Sequence, residues 1–380
     1  MVHMLENIPQ GEAKMPHSIN GKGNTSCRSI YWWTSGFFPG ILWYINEYTG
    51  DKTFESFAKK WTEKLEPVKT FKGNHDIGFM MYCSFGNAYR LTQNEKYKDI
   101  LIQSAYSLAT RFNPQVGTIK SWDSWRSWEN KHVFKYPVII DNMMNLELLF
   151  WASKATGDPS FRNIAISHAE KTMKYQIRKD GSSYHLACYD PETGNFIKGE
   201  TSQGYSNEST WSRGQGWGIY GFTLCYRETK DPRFLKTAQR MADYYINHPN
   251  LPSDKIPWWD FDTHRPGFIP GKFSKTNKYI QNYRDASAAS VTASALLELS
   301  SYVKDDKKKI YTETALQILT SLSSPEYRAE EGKNGNFILK HSTGAIPHGS
   351  EVDVPLIYAD YYFLEALLRY NRMINNKPIL

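Results

Sequence analysis

An all-α ring of six helical hairpins, an (α/α)6 toroid, is the fold class this 380-residue sequence predicts, and three observations predict it. A short phrase built from a turn, an acidic or amide residue, an aromatic and an amphipathic helix recurs five times. A second kind of helix, apolar on nearly every side, precedes each copy, and a sixth such helix ends the chain. The spacing between hairpins is uneven, roughly 45 to 75 residues, so the extra length goes into loops rather than into a regular solenoid.

The first apolar helix, "GFFPGILWYINEY" from Gly36, leads into "YTGDKTFESFAKKW" from Tyr48. The second, "DIGFMMYCSFGNAYRL" from Asp76, leads into "LTQNEKYKDILIQSA" from Leu91. "DNMMNLELLFWASKA" from Asp141 precedes "ATGDPSFRNIAISHA" from Ala155, and "GQGWGIYGFTLCYRE" from Gly214 precedes "ETKDPRFLKTAQRMA" from Glu228. The fifth pair is "DASAASVTASALLELSSYV" from Asp285 with a degenerate copy, "YVKDDKKKIYTETALQIL", from Tyr302; "DYYFLEALLRYNRM" from Asp360 stands last. The Gly or Lys of the turn closes one helix and the following Asp or Asn caps the next. A helix without a polar face is buried all round, and its amphipathic partner covers it from outside. The expected organisation is one domain over residues 1–380, with 1–27 as an N-terminal extension.

Composition narrows the function. Aromatic residues make up 15% of the chain, with 12 Trp and 25 Tyr, more than a core alone requires. Trp and Tyr offer flat apolar faces with a polar tip, suited to stacking on sugar rings. The net charge of +7 is spread without a basic arm, which argues against nucleic acid and fits a small anionic substrate. Cys27, Cys83, Cys188 and Cys225 show no CxxC spacing, so neither a zinc site nor a disulfide framework is expected. No apolar stretch is long enough to span a membrane. The start "MVHMLENIPQ" lacks the basic and apolar regions of a leader, which points to a bacterial cytoplasm, or to a periplasm if a leader has been removed.

In such a ring all inner helices run the same way, so their N-termini meet on one face. Gly36, Asp76, Asp141, Arg213 with Gly214, Asp285 and Asp360 gather there, fed by loops 117–137, 179–211, 249–284 and 328–358. Function collects where loops converge on a rigid scaffold. The ordinary role of each Asp is N-capping, worth roughly 1 kcal/mol and favoured by the helix dipole. Asp76 in "GNHD" and Asp141 in "YPVIID" follow constricted segments, and two carboxylates in one pocket repel and push their pKa values apart. A helix N-terminus acts in the opposite direction. His185 in "SSYHLACYD" is as readily structural as functional. Arg213 in "STWSRGQGWGIYG" could clamp a carboxylate beside the face of Trp217, one turn on, and Trp33 in "YWWTSGF" divides between stacking and core.

Read together, "HDIGFMMY", "IIDNMMNLELLFWASKATGD", "STWSRGQGWGIYGFTLCYRET", "RDASAASVTASALLELS" and "ADYYFLEALL" resemble the unsaturated glucuronyl hydrolases of glycoside hydrolase family 88, in the right order over nearly the whole chain. The resemblance implies a six-hairpin toroid that removes the 4,5-unsaturated uronate left at the non-reducing end of oligosaccharides by polysaccharide lyases, by hydrating the double bond. It implies that Asp76 and Asp141 are essential, with Asp141 the general acid/base, and that His185, Gln203, Arg213, Trp217 and Trp33 bind substrate. Family members that favour a sulfated neighbouring sugar use a serine-and-lysine cluster near the C-terminus. Here "HSTGAIPHGSEVDVP" carries Glu351 and Asp353 and no Lys, a departure from that pattern. The expected partner is an unsaturated oligosaccharide of glycosaminoglycan type, without metal, cofactor, nucleic acid or membrane, and the chain is expected as a monomer or weak homodimer. Three alternatives stay open: an unsaturated rhamnogalacturonyl hydrolase acting on pectin fragments, an inverting glycosidase acting on saturated sugars, and an inactive sugar-binding toroid.

Overall fold

The recurring turn decides where each helix stops and the next starts. In the computed structural model, which describes residues 2–8 and 14–379, α1 is Val2–Asn7, α2 Phe37–Thr49 and α3 Lys52–Glu63. Gly50 ends α2 with φ of 70°, a left-handed conformation that glycine adopts without strain, and the Asp51 side chain then accepts the Thr53 N–H at 2.8 Å to cap α3. The second inner helix is α4 (Ile77–Met81) and α5 (Asn87–Thr92) joined through a π turn, Tyr82–Gly86, and α6 (Glu95–Ala109) follows. The third starts as a 3-10 turn, Ile140–Asn145, and continues as α7 (Leu146–Thr156), before α8 (Pro159–Tyr175). Then come α9 (Ser212–Thr229), α10 (Pro232–Asn247), α11 (Ala286–Ser300), α12 (Asp305–Ser323) and α13 (Ile357–Ile374). Asn94, Asp158 and Asp231 cap α6, α8 and α10 as Asp51 caps α3; the degenerate copy puts Lys304 at this position and makes no side-chain cap.

The inner helices close a ring. Contacts run from α2 to the π turn and α5, from α4 to α7 and its 3-10 turn, on through α9 and α11 to α13, and from α13 back to α2. Every residue of α11 is buried, as an inner element packed on all sides must be. Helices in this ring approach closely. A Cβ on Gly218 would stand 2.2 Å from the Met241 side chain, and one on Gly216 would stand 2.9 Å from Thr292 Oγ1, so it is neighbouring helices that approach the backbone there. One hydrophobic cluster runs from Met4 to Leu368. Five inner helices carry a long outer partner; among the described residues α13 has none.

Two features differ from the sequence expectation. The strands Lys14–Ile19 and Thr25–Ser29 pair antiparallel, with Met15, His17 and Ser18 buried, and Ser18 Oγ donates to Pro355 O at 2.7 Å. The described part of 1–27 is therefore stitched to the ring rather than extended from it; residues 1 and 9–13 lie outside the described residues. Within stretches read as loops, Tyr136–Ile139, Leu186–Tyr189 and Phe196–Glu200 form a three-stranded antiparallel sheet. Its first strand runs directly into the turn that carries Asp141.

Candidate active site

Asp76 precedes the first residue of α4, and Asp141 is the second residue of the 3-10 turn. Neither is a working cap: the N-cap of the turn is Ile139, Asp76 makes no capping hydrogen bond, and Asp141 Oδ2 is buried without a hydrogen-bond partner. The strand sets this geometry, because the Ile140 N–H donates to His185 O at 2.9 Å and rotates the next side chain into the ring. Asp285 does cap its helix, accepting from the Ser287 and Ala288 N–H groups. Asp360 lies inside the first turn of α13 and caps a loop instead, accepting the Ile338 and Leu339 N–H groups at 2.8 and 2.9 Å.

Asp76 and Asp141 line one cavity of about 490 Å³. Trp32, Trp33, Trp122, Trp125 and Tyr358 supply aromatic walls, and Asn74, Ser202, Gln203, Arg213, His348, Ser350 and Glu351 supply polar ones. The two aspartates are only 8% and 6% exposed. Burial pushes the Asp76 carboxyl up to about 8, the Asp141 charge adds to it, and Arg111 opposes it. Burial likewise raises Asp141 to about 7, against Arg213, its own backbone N–H and the Trp217 indole. Desolvation thus overrides the helix N-terminus, and the coupled pair keeps a proton near neutral pH. No Lys or Arg reaches either carboxyl within ion-pair distance among the described residues; the nearest bases are imidazoles, His75 at 3.3 Å from Asp76 and His185 at 3.7 Å from Asp141.

His185 is held in one tautomer. Its Nδ1 accepts the backbone N–H groups of Ser202 and Gln203 at 2.9 and 3.1 Å, so the neutral ring carries its proton on Nε2, on the Asp141 side. Burial, Arg213 and His348 push its pKa well below the ordinary value, and its ring lies on Trp211 at 4.6 Å. His185 stands behind Asp141 rather than on the cavity wall, with Nε2 3.7 Å from the Asp141 carboxyl.

The remaining sequence candidates divide. Gln203 and Trp33 line the cavity, Trp33 leaning on Tyr358 at 4.8 Å. Arg213 also lines it, but its fork is largely closed on the protein. Nη1 donates to Asp285, Ser287 and Thr343 O, and Nη2 to Gly344 O at 2.7 Å. Of five N–H groups, two, on Nε and Nη2, make no bond within the protein, and Nε is buried. The free clamp expected for Arg213 is therefore corrected to an anchor that pins loop 341–354 over the site. Trp217 is 0% exposed, wedged between Phe79 and Tyr362 at 5.2 Å from each. It offers no face to a sugar; its indole N–H favours the Asp141 anion without completing a hydrogen bond.

Several wall residues escaped sequence reasoning. Trp122 and Trp125 belong to "SWDSWRSW", whose regular Trp spacing inside a loop was the available signal. His17 was invisible as a site component. Its Nε2 meets Glu351 Oε1 at 2.6 Å and its Nδ1 meets Thr34 Oγ1 at 3.0 Å, so the N-terminal hairpin fixes a wall carboxylate. That hydrogen bond and nearby positive charge hold Glu351 below its usual pKa against burial. Among the described residues no group of three His, Cys, Asp or Glu side chains has metal-binding geometry.

The family model of Glycosyl Hydrolase Family 88 matches residues 11–226, a span holding all seven candidate residues. The chain belongs to this family. It is 46% identical over 343 residues to an unsaturated glucuronyl hydrolase of Formosa agariphila, covering 90% of this chain and 80% of that protein. It is 33% identical to an unsaturated chondroitin disaccharide hydrolase of Streptococcus pyogenes, covering 89% and 81%. The crystal structure of an unsaturated glucuronyl hydrolase specific for heparin superposes with a TM-score of 0.90 at 46% identity, over 98% of this chain and 94% of that one. The chain is thus a glycoside hydrolase, and its toroid is that of family 88 relatives.

Proposed function

We propose that the protein removes the 4,5-unsaturated uronic acid from the non-reducing end of lyase-generated, glycosaminoglycan-type oligosaccharides by hydrating the C4=C5 enol ether. The observation that carries this reading is a pair of buried carboxyls without cationic partners, held at about 7 and 8 in one aromatic-walled cavity. Protonated Asp141 gives its proton to C4, and positive charge develops on C5 and the ring oxygen. The resulting Asp141 carboxylate takes a proton from the water that adds at C5. The C5 hemiketal opens by breaking its bond to the ring oxygen, which becomes a C1 hydroxyl, and that hemiacetal releases the remaining sugar. General acid/base assistance of this kind contributes roughly 10²–10⁴-fold. Asp76 shares the proton of the pair, and His185 orients the acid.

The relatives named for heparin and for chondroitin disaccharides support a glycosaminoglycan aglycone. The test is absorbance-monitored turnover of unsaturated disaccharides from glycosaminoglycan and pectin beside their saturated counterparts. Loss of ultraviolet absorbance with the glycosaminoglycan disaccharides and inertness of the saturated ones is expected. Sugar release from saturated substrates without absorbance change would overturn the reading, and preference for the pectin fragments would move the aglycone.

A further inference from the structure

A basic segment free of acidic residues lies beside the cavity mouth. Residues 263–283, "THRPGFIPGKFSKTNKYIQNY", contain no Asp or Glu and carry Arg265, Lys272, Lys275 and Lys278. Arg265 is paired with Asp262. Among the described residues Lys272, Lys275, Lys278 and the nearby Lys131 join no ion pair. Their charges are thus free to meet an anion, and they lie together beside one exposed aromatic ring. Lys131 lies over the Phe273 ring at 4.3 Å and Lys272 at 5.7 Å, so two loops bring their cations to one aromatic ring. Apolar side chains stand out beside them: Ile280 is 89% exposed, Ile269 80% and Phe273 37%.

This surface is continuous with the site. The Phe273 N–H donates to Trp128 O at 2.8 Å, and Trp128 packs on the His348 ring at 5.0 Å. Lys275 Nζ donates to His348 O at 2.8 Å, and His348 is itself a wall of the cavity. The loop therefore forms the outer rim of the pocket that holds Asp76 and Asp141. Inside the pocket the wall carries both signs, the Arg213 guanidinium and the fixed Glu351 carboxylate.

We propose that the rim formed by loop 263–283 with Lys131 is a binding surface for the reducing-end continuation of a sulfated oligosaccharide, so that the protein favours chains longer than a disaccharide. The inference rests on the proposed reaction and adds a second zone of recognition to it. Ammonium groups take sulfates as point charges, and the exposed aromatic and aliphatic side chains take the apolar faces of the sugar rings. Because the contacts are exposed, their strength falls with salt.

The test compares the 380-residue chain with K131Q/K272Q/K278Q, which leaves Lys275 and every cavity residue in place. The kcat/KM on an unsaturated heparin hexasaccharide is expected to fall roughly 5–10-fold at low salt through KM, and turnover of the disaccharide to stay within roughly 2-fold. Wild-type preference for the hexasaccharide is expected to shrink between low and physiological salt. Equal kcat/KM of wild type and variant on the hexasaccharide would overturn the proposal. A fluorescently labelled saturated heparin hexasaccharide reports binding without turnover: its Kd is expected to rise by the same factor in the variant, and an unchanged Kd overturns the surface. Failure of wild type to turn over the disaccharide would instead defeat the proposed reaction, while this binding measurement still decides the rim.

Discussion

Two cavities are built into the same ring, and they treat buried charge in opposite ways. The first turns of the inner helices enclose about 490 Å³ around Asp76 and Asp141. Later turns of the same helices enclose about 380 Å³ lined by Glu147, Glu228, Glu365, Arg227 and Arg369. In the second cavity every acid has a strong donor. Glu147 accepts from Arg227, Arg227 and Arg369 share Glu298, and Glu365 accepts from Tyr44, Tyr220 and Ser294. Burial raises Glu147 too, but Arg227 opposes the rise directly. At the first cavity the bases nearest the aspartates are neutral imidazoles, and Arg111 and Arg213 act on them only from beyond ion-pair distance. Matched charges make a strut; unmatched acids hold a proton for use.

The largest effect that tests this contrast is on turnover. Asp141→Asn keeps the shape and removes the proton donor, so turnover of an unsaturated disaccharide should fall roughly 10²–10⁴-fold with the circular dichroism spectrum unchanged. Arg213→Met comes next. It leaves Asp285 buried without its cation and frees Thr343 and Gly344, so unfolding in denaturant should show a loss of about 3–5 kcal/mol.

A pH-dependent effect follows. Asp76 titrates at about 8 in the folded chain and near 4 when unfolded, so the folded state binds more protons between those limits. Its contribution to stability is therefore present at low pH and lost as pH rises through about 8. Asp76→Asn should raise Tm over wild type at pH 8.5 by roughly 2–4 °C for each kcal/mol released, with a smaller gain at pH 4.5. The smallest effect belongs to the other cavity: Glu147→Gln should leave kcat/KM within about 2-fold while costing about 1–3 kcal/mol of stability. A loss of turnover in Glu147→Gln comparable to that in Asp141→Asn would erase the distinction between the two cavities.

The ring was legible because its signals are local. A Gly–Asp stop and start, as at Gly50 and Asp51, needs only adjacent residues, and an all-apolar helix such as α11 announces its burial in its own composition. The acid pair followed, since the N-termini of like-directed helices must share a face. What remained hidden depends on partners distant in sequence. Arg213 bonds to Thr343 O and Gly344 O, and that decides how much of its fork is free. Trp217 faces Phe79 and Tyr362, and that decides whether its indole meets a sugar or the core. Asp141 looked like a cap until the pairing of Tyr136–Ile139 with Leu186–Tyr189 moved the cap to Ile139. His17 reaches Glu351 through a hairpin whose strands carry no strong apolar alternation.

The central statement is that two carboxyls in one cavity keep a proton at neutral pH. Selective ¹³C labelling of aspartate carboxyl carbons, with Asp76→Asn and Asp141→Asn used to assign the signals, reads this directly in a pH titration. The predicted result is a pair of coupled inflections near 7 and 8, with the Asp76 step moving down when Asp141 is neutralised. Both signals completing their titration below pH 5, as ordinary aspartates do, would contradict it.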